Sequence, residues 1–168
     1  MSKKQKIILS SSLLVSGILL VIVIMQHLHL NLVHEELFYS EVQDQLVVLD
    51  GLIEHQKKNN WSDPNLVTVQ LGDVLNGMDV AISSGIYTNW LEEDDLRVLR
   101  RIEIALREFP HDESYAFSTV SPKDQERFED LRKKLRKAGF GMRMTLDNDW
   151  EMFMARSEEL ANLLTNPS

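Results

Sequence analysis

An acidic segment near the C-terminus has the residue spacing of a calcium-binding loop. Counted from Asp147, carboxylate side chains stand at positions one, three, five and twelve, where a calcium-binding hand places oxygen ligands. The sixth position of such a loop requires glycine for its sharp turn, and Met152 stands there instead. The residues that follow have the apolar spacing of a helix. Asp147 is therefore interpreted as the N-cap of a final helix, and no metal or other cofactor is predicted.

Two further groups of titratable residues are candidates for acid–base or metal chemistry. Glu92–Asp95 is a run of four carboxylates, but no catalytic nucleophile and no Gly-rich phosphate loop accompanies it. The run is expected to occupy the first turn of a helix, where the helix dipole favours negative charge. His27, His29 and His34 are close in sequence, yet a metal site needs more ligands than they supply. The chain is therefore predicted not to be an enzyme.

A basic stretch forms the third candidate site. Arg132, Lys133, Arg136 and Lys137 follow one another closely and could bind anionic lipid headgroups or an acidic partner. The simpler interpretation, which we prefer, is a solvated surface whose positive charge complements the C-terminus of a helix.

The stretch from Ile7 to Met25 contains nineteen consecutive residues without a charge. At about 1.5 Å of rise per residue, a helix of this length nearly spans the ~30 Å hydrocarbon core of a bilayer. Lys3, Lys4 and Lys6 precede it, which predicts a cytoplasmic N-terminus. No small-residue cleavage site follows, so the stretch is interpreted as an uncleaved anchor in the cell membrane rather than a signal peptide.

These features predict a single-pass chain with four segments. They are a cytoplasmic tail (1–6), a transmembrane anchor (7–25), a juxtamembrane stalk (26–34) and an extracytoplasmic helical domain (35–168). Ser12, Ser16 and Gly17 would give the anchor a face of small residues on which membrane helices could pair.

The charge of the chain bears on its partners. Residues 7–168 hold 15 Lys and Arg against 26 Asp and Glu, a formal net charge of −11. Such an acidic surface repels phosphates, so no nucleic-acid partner is predicted. The chain has no cysteine, which excludes disulfides and thiol catalysis and fits a bacterial exported protein.

Apolar residues at helical spacing predict the elements of the outer domain. No Gly or Pro interrupts Ile18–Asp50, so one helix is predicted from about Gln5 to Lys58. Its apolar stripe is Phe38, Val42, Leu46, Leu49 and Ile53. Further helices are predicted from Pro64 to Ser83–Gly85, from Asn89 to Pro110, from Ser121–Pro122 to Gly139, and from Asp147 onward.

Local signals predict how these helices begin, end and cross. Ser62 or Asp63 is expected to cap the second helix and Asn89 the third. Ser121 with Asp124 is expected to start the fourth, and Gly139 to end it. The two glycines at positions 72 and 77 are expected either to weaken the second helix, by about 1 kcal/mol each relative to alanine, or to permit a close helix crossing.

The expected fold is therefore all-α, with a single N-terminal transmembrane helix that continues into a small antiparallel helical bundle. The expected function is that of a membrane-anchored interaction or assembly protein, whose partners are the lipid bilayer and a protein partner or a second copy of the chain. A sensor-like, ligand-binding bundle acting through a membrane partner is the alternative. Aromatic residues in or beside loops are the predicted interaction surface, unless they plug the ends of the bundle: Trp61, Tyr87, Trp90, Tyr115 and Phe140.

Overall fold

The computed structural model of the chain describes residues 3–112, 118–142 and 149–165. These residues form helices joined by loops and contain no strand. The elements are α1 (Lys3–Phe38), a π-helical turn (Tyr39–Gln43), α2 (Asp44–Lys58), α3 (Asn65–Tyr87), α4 (Glu93–Arg107), α5 (Pro122–Ala138) and α6 (Trp150–Thr165). The all-α class predicted from the sequence is confirmed for this part of the chain. The chain divides into two compact units, Met1–Val33 and His34–Ser168.

The first unit is an apolar helix whose side chains are uncovered. Every large apolar residue from Leu13 to Met25 is exposed, with exposed fractions from 45% at Ile22 to 76% at Leu13. Among the described helices, the run Ser12–Lys58 is the one that is long and apolar enough to cross a membrane, and none of its most apolar window is buried. The N-terminal helix thus meets the length and composition requirements of a membrane span.

The second unit has a hydrophobic core to which all of its helices contribute. The apolar stripe predicted for the first helix is buried as expected, since Phe38, Val42, Leu46, Leu49 and Ile53 are at most 1% exposed. The same spacing rule identified the buried residues of α3 and α5 correctly, for example Leu71, Met78, Phe128 and Leu131.

The segment from His34 to Lys58 packs along α3 in the opposite direction. Three hydrogen-bonded pairs record this, namely His34 with Thr88, Gln45 with Gln70, and Gln56 with Asp63. Residue numbers fall along one helix as they rise along the other, so the two helices run antiparallel. Ion pairs between Lys57 and Glu129 and between Asp50 and Arg136 show the same order for α2 and α5.

A glycine allows the closest approach within this pair. A Cβ built on Gly77 would lie 2.1 Å from the backbone carbonyl oxygen of Glu41, which belongs to the π-helical turn. Gly72 is similarly close to a backbone oxygen, because its Cβ would lie 2.6 Å from that of Asp112. Both positions need glycine because the neighbour is backbone, so the expected close crossing is confirmed at Gly77.

Helix ends follow the predictions in part. Ser121 and Asp124 form a reciprocal capping box at the start of α5, and Gly139 ends that helix at φ 93°, as expected. The predicted side-chain cap of α3 is wrong, because α3 has no side-chain cap and the Ser62 hydroxyl donates to the Asp63 carboxylate instead. The predicted end of α3 at Ser83–Gly85 is also wrong, since the helix continues to Tyr87.

Gly77→Ala is expected to destabilise the second unit. Overpacking a tight contact costs about 1–3 kcal/mol, which outweighs the gain of about 1 kcal/mol from the higher helix propensity of alanine. Chemical denaturation of the full chain in detergent, followed by circular dichroism, measures the effect. Gly17→Ala is the control, because a Cβ there meets nothing within 4 Å. Equal stability of the two variants would contradict the close crossing.

Candidate interaction surfaces

Three of the five aromatic residues predicted to form a surface share one structural role. Trp61, Trp90 and Phe140 each follow a residue with positive φ, which is Asn60, Asn89 or Gly139. In each case the aromatic N–H donates to the carbonyl five residues earlier, at 2.8–2.9 Å. This is the Schellman arrangement, in which an apolar residue after the left-handed position packs back onto its own helix.

Because Asn89 takes part in this arrangement, the predicted start of α4 at Asn89 is wrong. Asn89, predicted as an N-cap, has φ 54° and closes α3 by donating its N–H to the Ile86 carbonyl. The N-cap of α4 is Glu92, which makes no side-chain capping bond. Asparagine suits both roles, because its short polar side chain tolerates the left-handed region and also caps helices.

These aromatic residues are covered to different degrees. Phe140 is fully buried, and Trp61 and Trp90 are half-buried against the core. Tyr87 is 91% exposed, so among the four that the structure describes it is the one available to a partner. Tyr115 lies outside the described residues.

Trp90 belongs to an aromatic cluster beside His34, the first residue of the second unit. Its indole stacks on the His34 ring at 5.1 Å and meets the Trp150 ring edge-on at 4.6 Å. The Trp150 indole N–H donates to the Asp95 carboxylate at 3.1 Å, which ties α6 to the first turns of α4. His34 is also fixed by Thr88, whose hydroxyl lies 2.8 Å from Nε2. The cluster closes this end of the core.

Two members of the predicted basic patch are engaged inside the protein. Arg136 donates to Asp50 at 2.8 Å and to Glu54 at 2.6 Å, and Arg132 pairs with the same two carboxylates. The Asp50 side chain is completely buried and also accepts the backbone N–H of Met142. Lys133 and Lys137 are exposed and have no ion-pair partner among the described residues, whereas the exposed Arg136 is held by its carboxylates.

Positive charges around this ion-pair network lower the pKa of the Glu54 carboxyl group. The hydrogen bond from Lys58 and the nearby charge of Arg132 lower the pKa of Glu54 from 4.5 to about 2. The carboxylate therefore stays ionised across the physiological range and remains paired with the α5 arginines. The network joins α2 to α5.

The π-helical turn buries neutral polar groups. The Tyr39 hydroxyl and both amide atoms of Gln43 are buried without a hydrogen-bond partner. Burial, with the nearby carboxylates of Glu35 and Asp149 next in effect, raises the pKa of Tyr39 to about 12. The phenol is therefore protonated at neutral pH. π-Helical turns are frequent at functional sites, but these groups lie inside the protein rather than on its surface.

The outer face of α3 is a surface that the sequence analysis did not identify. We define this face as the exposed residues that recur in steps of three and four: Leu66, Val69, Asp73, Asn76, Val80, Ser83 and Tyr87. Val80 is 56% exposed, and Leu66 and Val69 are nearly half exposed. α3 contains no Lys or Arg. That absence over 23 residues was the available sequence signal, because a solvated helix face normally carries charges of both signs.

A groove adjoins the outer face of α3. It has a volume of about 360 Å³, and its lining is Leu37, Glu41, Gln45, Asp73, Asn76, Gly77 and Val80. Its two ionisable side chains are carboxylates, and neither Glu41 nor Asp73 has an ion-pair partner among the described residues. The groove therefore combines apolar walls with negative charge.

A second groove, of about 760 Å³, runs between α4, α5 and α6. Its charged side chains largely satisfy one another or other groups within the unit. Arg101 donates to Asn162 and Thr165, Lys134 pairs with Asp130, and Arg127 donates to the Glu108 carbonyl. The exposed apolar side chain in it is Ile104.

The remaining predicted groups are placed as follows. Ser12, Ser16 and Gly17 are exposed on the first unit. Glu93, Asp94 and Asp95 lie in the first turn of α4, as expected for the acidic run. Asp147 and the side chain of His27 lie outside the described residues, and Asp149 accepts the Met152 N–H at the start of α6. Within the described residues, no three His, Asp or Glu side chains form a group able to hold a metal ion.

No protein-family model matches this chain, and no curated protein or solved structure is significantly similar to it. A functional assignment therefore has to come from the residues and their geometry.

Asn89→Ala is expected to destabilise the second unit by about 1–2 kcal/mol, because alanine is strained in the left-handed conformation that Asn89 adopts. Asn89→Gly is expected to be tolerated. Asn76→Ala is the matched control, since Asn76 is exposed within α3 and alanine is the better helix former there. Thermal unfolding separates these variants, and a neutral Asn89→Ala would contradict the role of Asn89 in ending α3.

Asp50→Ala is expected to cost about 3–5 kcal/mol, because it leaves Arg132 and Arg136 without the buried carboxylate that they share. Lys57→Ala removes a more exposed ion pair, with Glu129, and is expected to cost less than about 1 kcal/mol. Denaturant titration of both variants makes the comparison. Similar losses would show that the Asp50 network is no stronger than a surface ion pair.

Proposed function

We propose that this chain is a membrane-anchored helical interaction protein. In this proposal Ile7–Met25 spans the cell membrane, the N-terminus is cytoplasmic, and the helical domain lies on the opposite side of the membrane as an antiparallel bundle. The domain binds a protein partner, and the proposal assigns it no catalytic role. The observation that carries the proposal is the outer face of α3, which leaves apolar side chains uncovered on a folded domain.

The exposed side chains of the first unit support the anchor. Leucine, valine and isoleucine surround the helix on all sides from Leu13 to Ile24, and all of them are exposed. In water this surface would forfeit about 25 cal/mol for every Å² of apolar area left uncovered. A bilayer covers such a helix and tolerates its serines, which can bond back to the helix backbone.

The direction of the helices supports the bundle. α2 runs antiparallel to both α3 and α5, as the paired residues above indicate. α4 and α6 run in the same direction, since Asp95 meets Trp150 and Arg101 meets Asn162. These directions support an up-and-down bundle, in which successive helices run antiparallel.

The contrast between α3 and α5 supports protein binding. α5 exposes residues in the same steps of three and four, and all five are charged: Lys123, Glu126, Asp130, Lys133 and Lys137. The outer face of α3 has one charge in seven positions. Soluble domains seldom leave a contiguous apolar surface open unless a partner covers it.

The ligand-binding alternative has less support. Its best feature is the groove between α4, α5 and α6, but Arg101, Arg127 and Lys134 there are already bonded to other groups of the second unit. A ligand would have to compete with those bonds.

Ile18→Lys is expected to weaken membrane retention. A lysine near the centre of a spanning helix costs about 2.5–3.5 kcal/mol on insertion scales. The unaltered chain should stay in the membrane pellet after alkaline carbonate washing, and the variant should move toward the soluble fraction. Ser83→Lys, which adds the same charge to the outer face of α3, should remain in the pellet. Release of the unaltered chain by carbonate would overturn the anchor.

A further inference from the structure

Charge is distributed unevenly along this chain. From Ile7 to Tyr87 the only Lys and Arg are Lys57 and Lys58, and the other thirteen cations of the second unit follow Tyr87. Both of those lysines pair within the protein, with Glu129 and Glu54 respectively. In the groove that α3 shares with the π-helical turn, the charged side chains are therefore carboxylates, and they lie beside apolar and neutral polar residues.

The geometry of this surface suits a helix. From Leu66 to Tyr87 the outer face of α3 is about 31 Å long at helical rise. Its residues recur in steps of three and four, which is the spacing that a second helix meets when it packs alongside. The groove beside it places the carboxylates of Glu41 and Asp73 next to Val80.

The charge decides among the possible occupants. Anionic lipid headgroups and nucleic acids would be repelled by Glu41 and Asp73. The same face of a second copy would bring like charges together, which is unfavourable when they are removed from water. A helix with an apolar side and flanking Lys or Arg satisfies both the apolar residues and the unpaired carboxylates.

We propose that the outer face of α3 and its adjoining groove bind an amphipathic, basic helix of a partner protein. The apolar side of that helix packs on Leu66, Val69 and Val80, and its Lys or Arg side chains pair with Glu41 and Asp73. This inference rests on the proposed function and specifies the class of partner.

Site-specific photocrosslinking on the full chain in its native membranes tests the proposal. A benzophenone amino acid replaces Val80, with a second chain carrying it at Glu126 on α5 as the control position. Peptides crosslinked at Val80 are sequenced by mass spectrometry. The expected product is a partner segment with apolar residues at helical spacing and several Lys or Arg, obtained at position 80 and not at position 126.

Charge reversal supplies the second readout. Combining Glu41→Lys and Asp73→Lys in the chain that carries the photoprobe at Val80 should lower the crosslinking yield at least about tenfold, because like charges then face the basic helix. Asp130→Lys, a charge reversal on the outer surface of α5, should leave the yield unchanged. Circular dichroism confirms that each variant is folded.

The opposing outcomes separate the inference from the proposed function. Crosslinking to lipid, to a second copy of the chain, to an acidic or non-helical segment, or to nothing would overturn the basic-helix partner while the anchor stands. A yield that is insensitive to the reversal at Glu41 and Asp73 would do the same. Recovery of the chain outside the membrane would instead overturn the proposed function.

Discussion

The antiparallel packing of His34–Lys58 on α3 is the interaction on which the rest of the second unit depends. It buries the apolar stripe from Phe38 to Ile53 and, through the Gly77 contact, brings α3 against the backbone of the π-helical turn. The same segment presents Asp50 to α5 and His34 to Trp90. Because the inner side of α3 is fixed in this way, its outer face is also fixed, as a largely uncharged surface.

The outer face of α3 is the surface on which the proposed interaction depends. The inner side of α3 is covered by the protein, whereas Leu66, Val69 and Val80 on its outer face remain exposed. Glu41 and Asp73 beside this face have no ion-pair partner among the described residues, whereas Asp79 of the same helix pairs with Arg107. Exposed apolar residues beside unpaired charges of one sign favour specific binding of a partner with the opposite charge over non-specific association.

Local sequence rules predicted much of the fold. Periodicity predicted the buried stripes, because it depends on residues within one helix. The Ser121–Asp124 capping box and the helix end at Gly139 were predictable for the same reason. The helix end at Asn89 and the ion pairs of Arg136 could not be predicted in this way. Asn89 suits either end of a helix, and the Asp50 partner of Arg136 lies 86 residues away. The packing of the aromatic residues after Asn60, Asn89 and Gly139 could have been predicted. A residue that tolerates the left-handed conformation, followed by an aromatic one, predicts a helix that ends in a Schellman motif with the ring packed against it.

The central claim is that one chain holds a helical interaction domain on the far side of a membrane from its N-terminus. Because the chain has no cysteine, a single introduced cysteine reports its own location. Labelling intact cells with a membrane-impermeant maleimide tests the claim directly. The account predicts that Lys133→Cys, on the exposed and charged side of α5, is labelled in intact cells and that Ser2→Cys is labelled only after lysis. The reverse pattern, or labelling of neither before lysis, would contradict it.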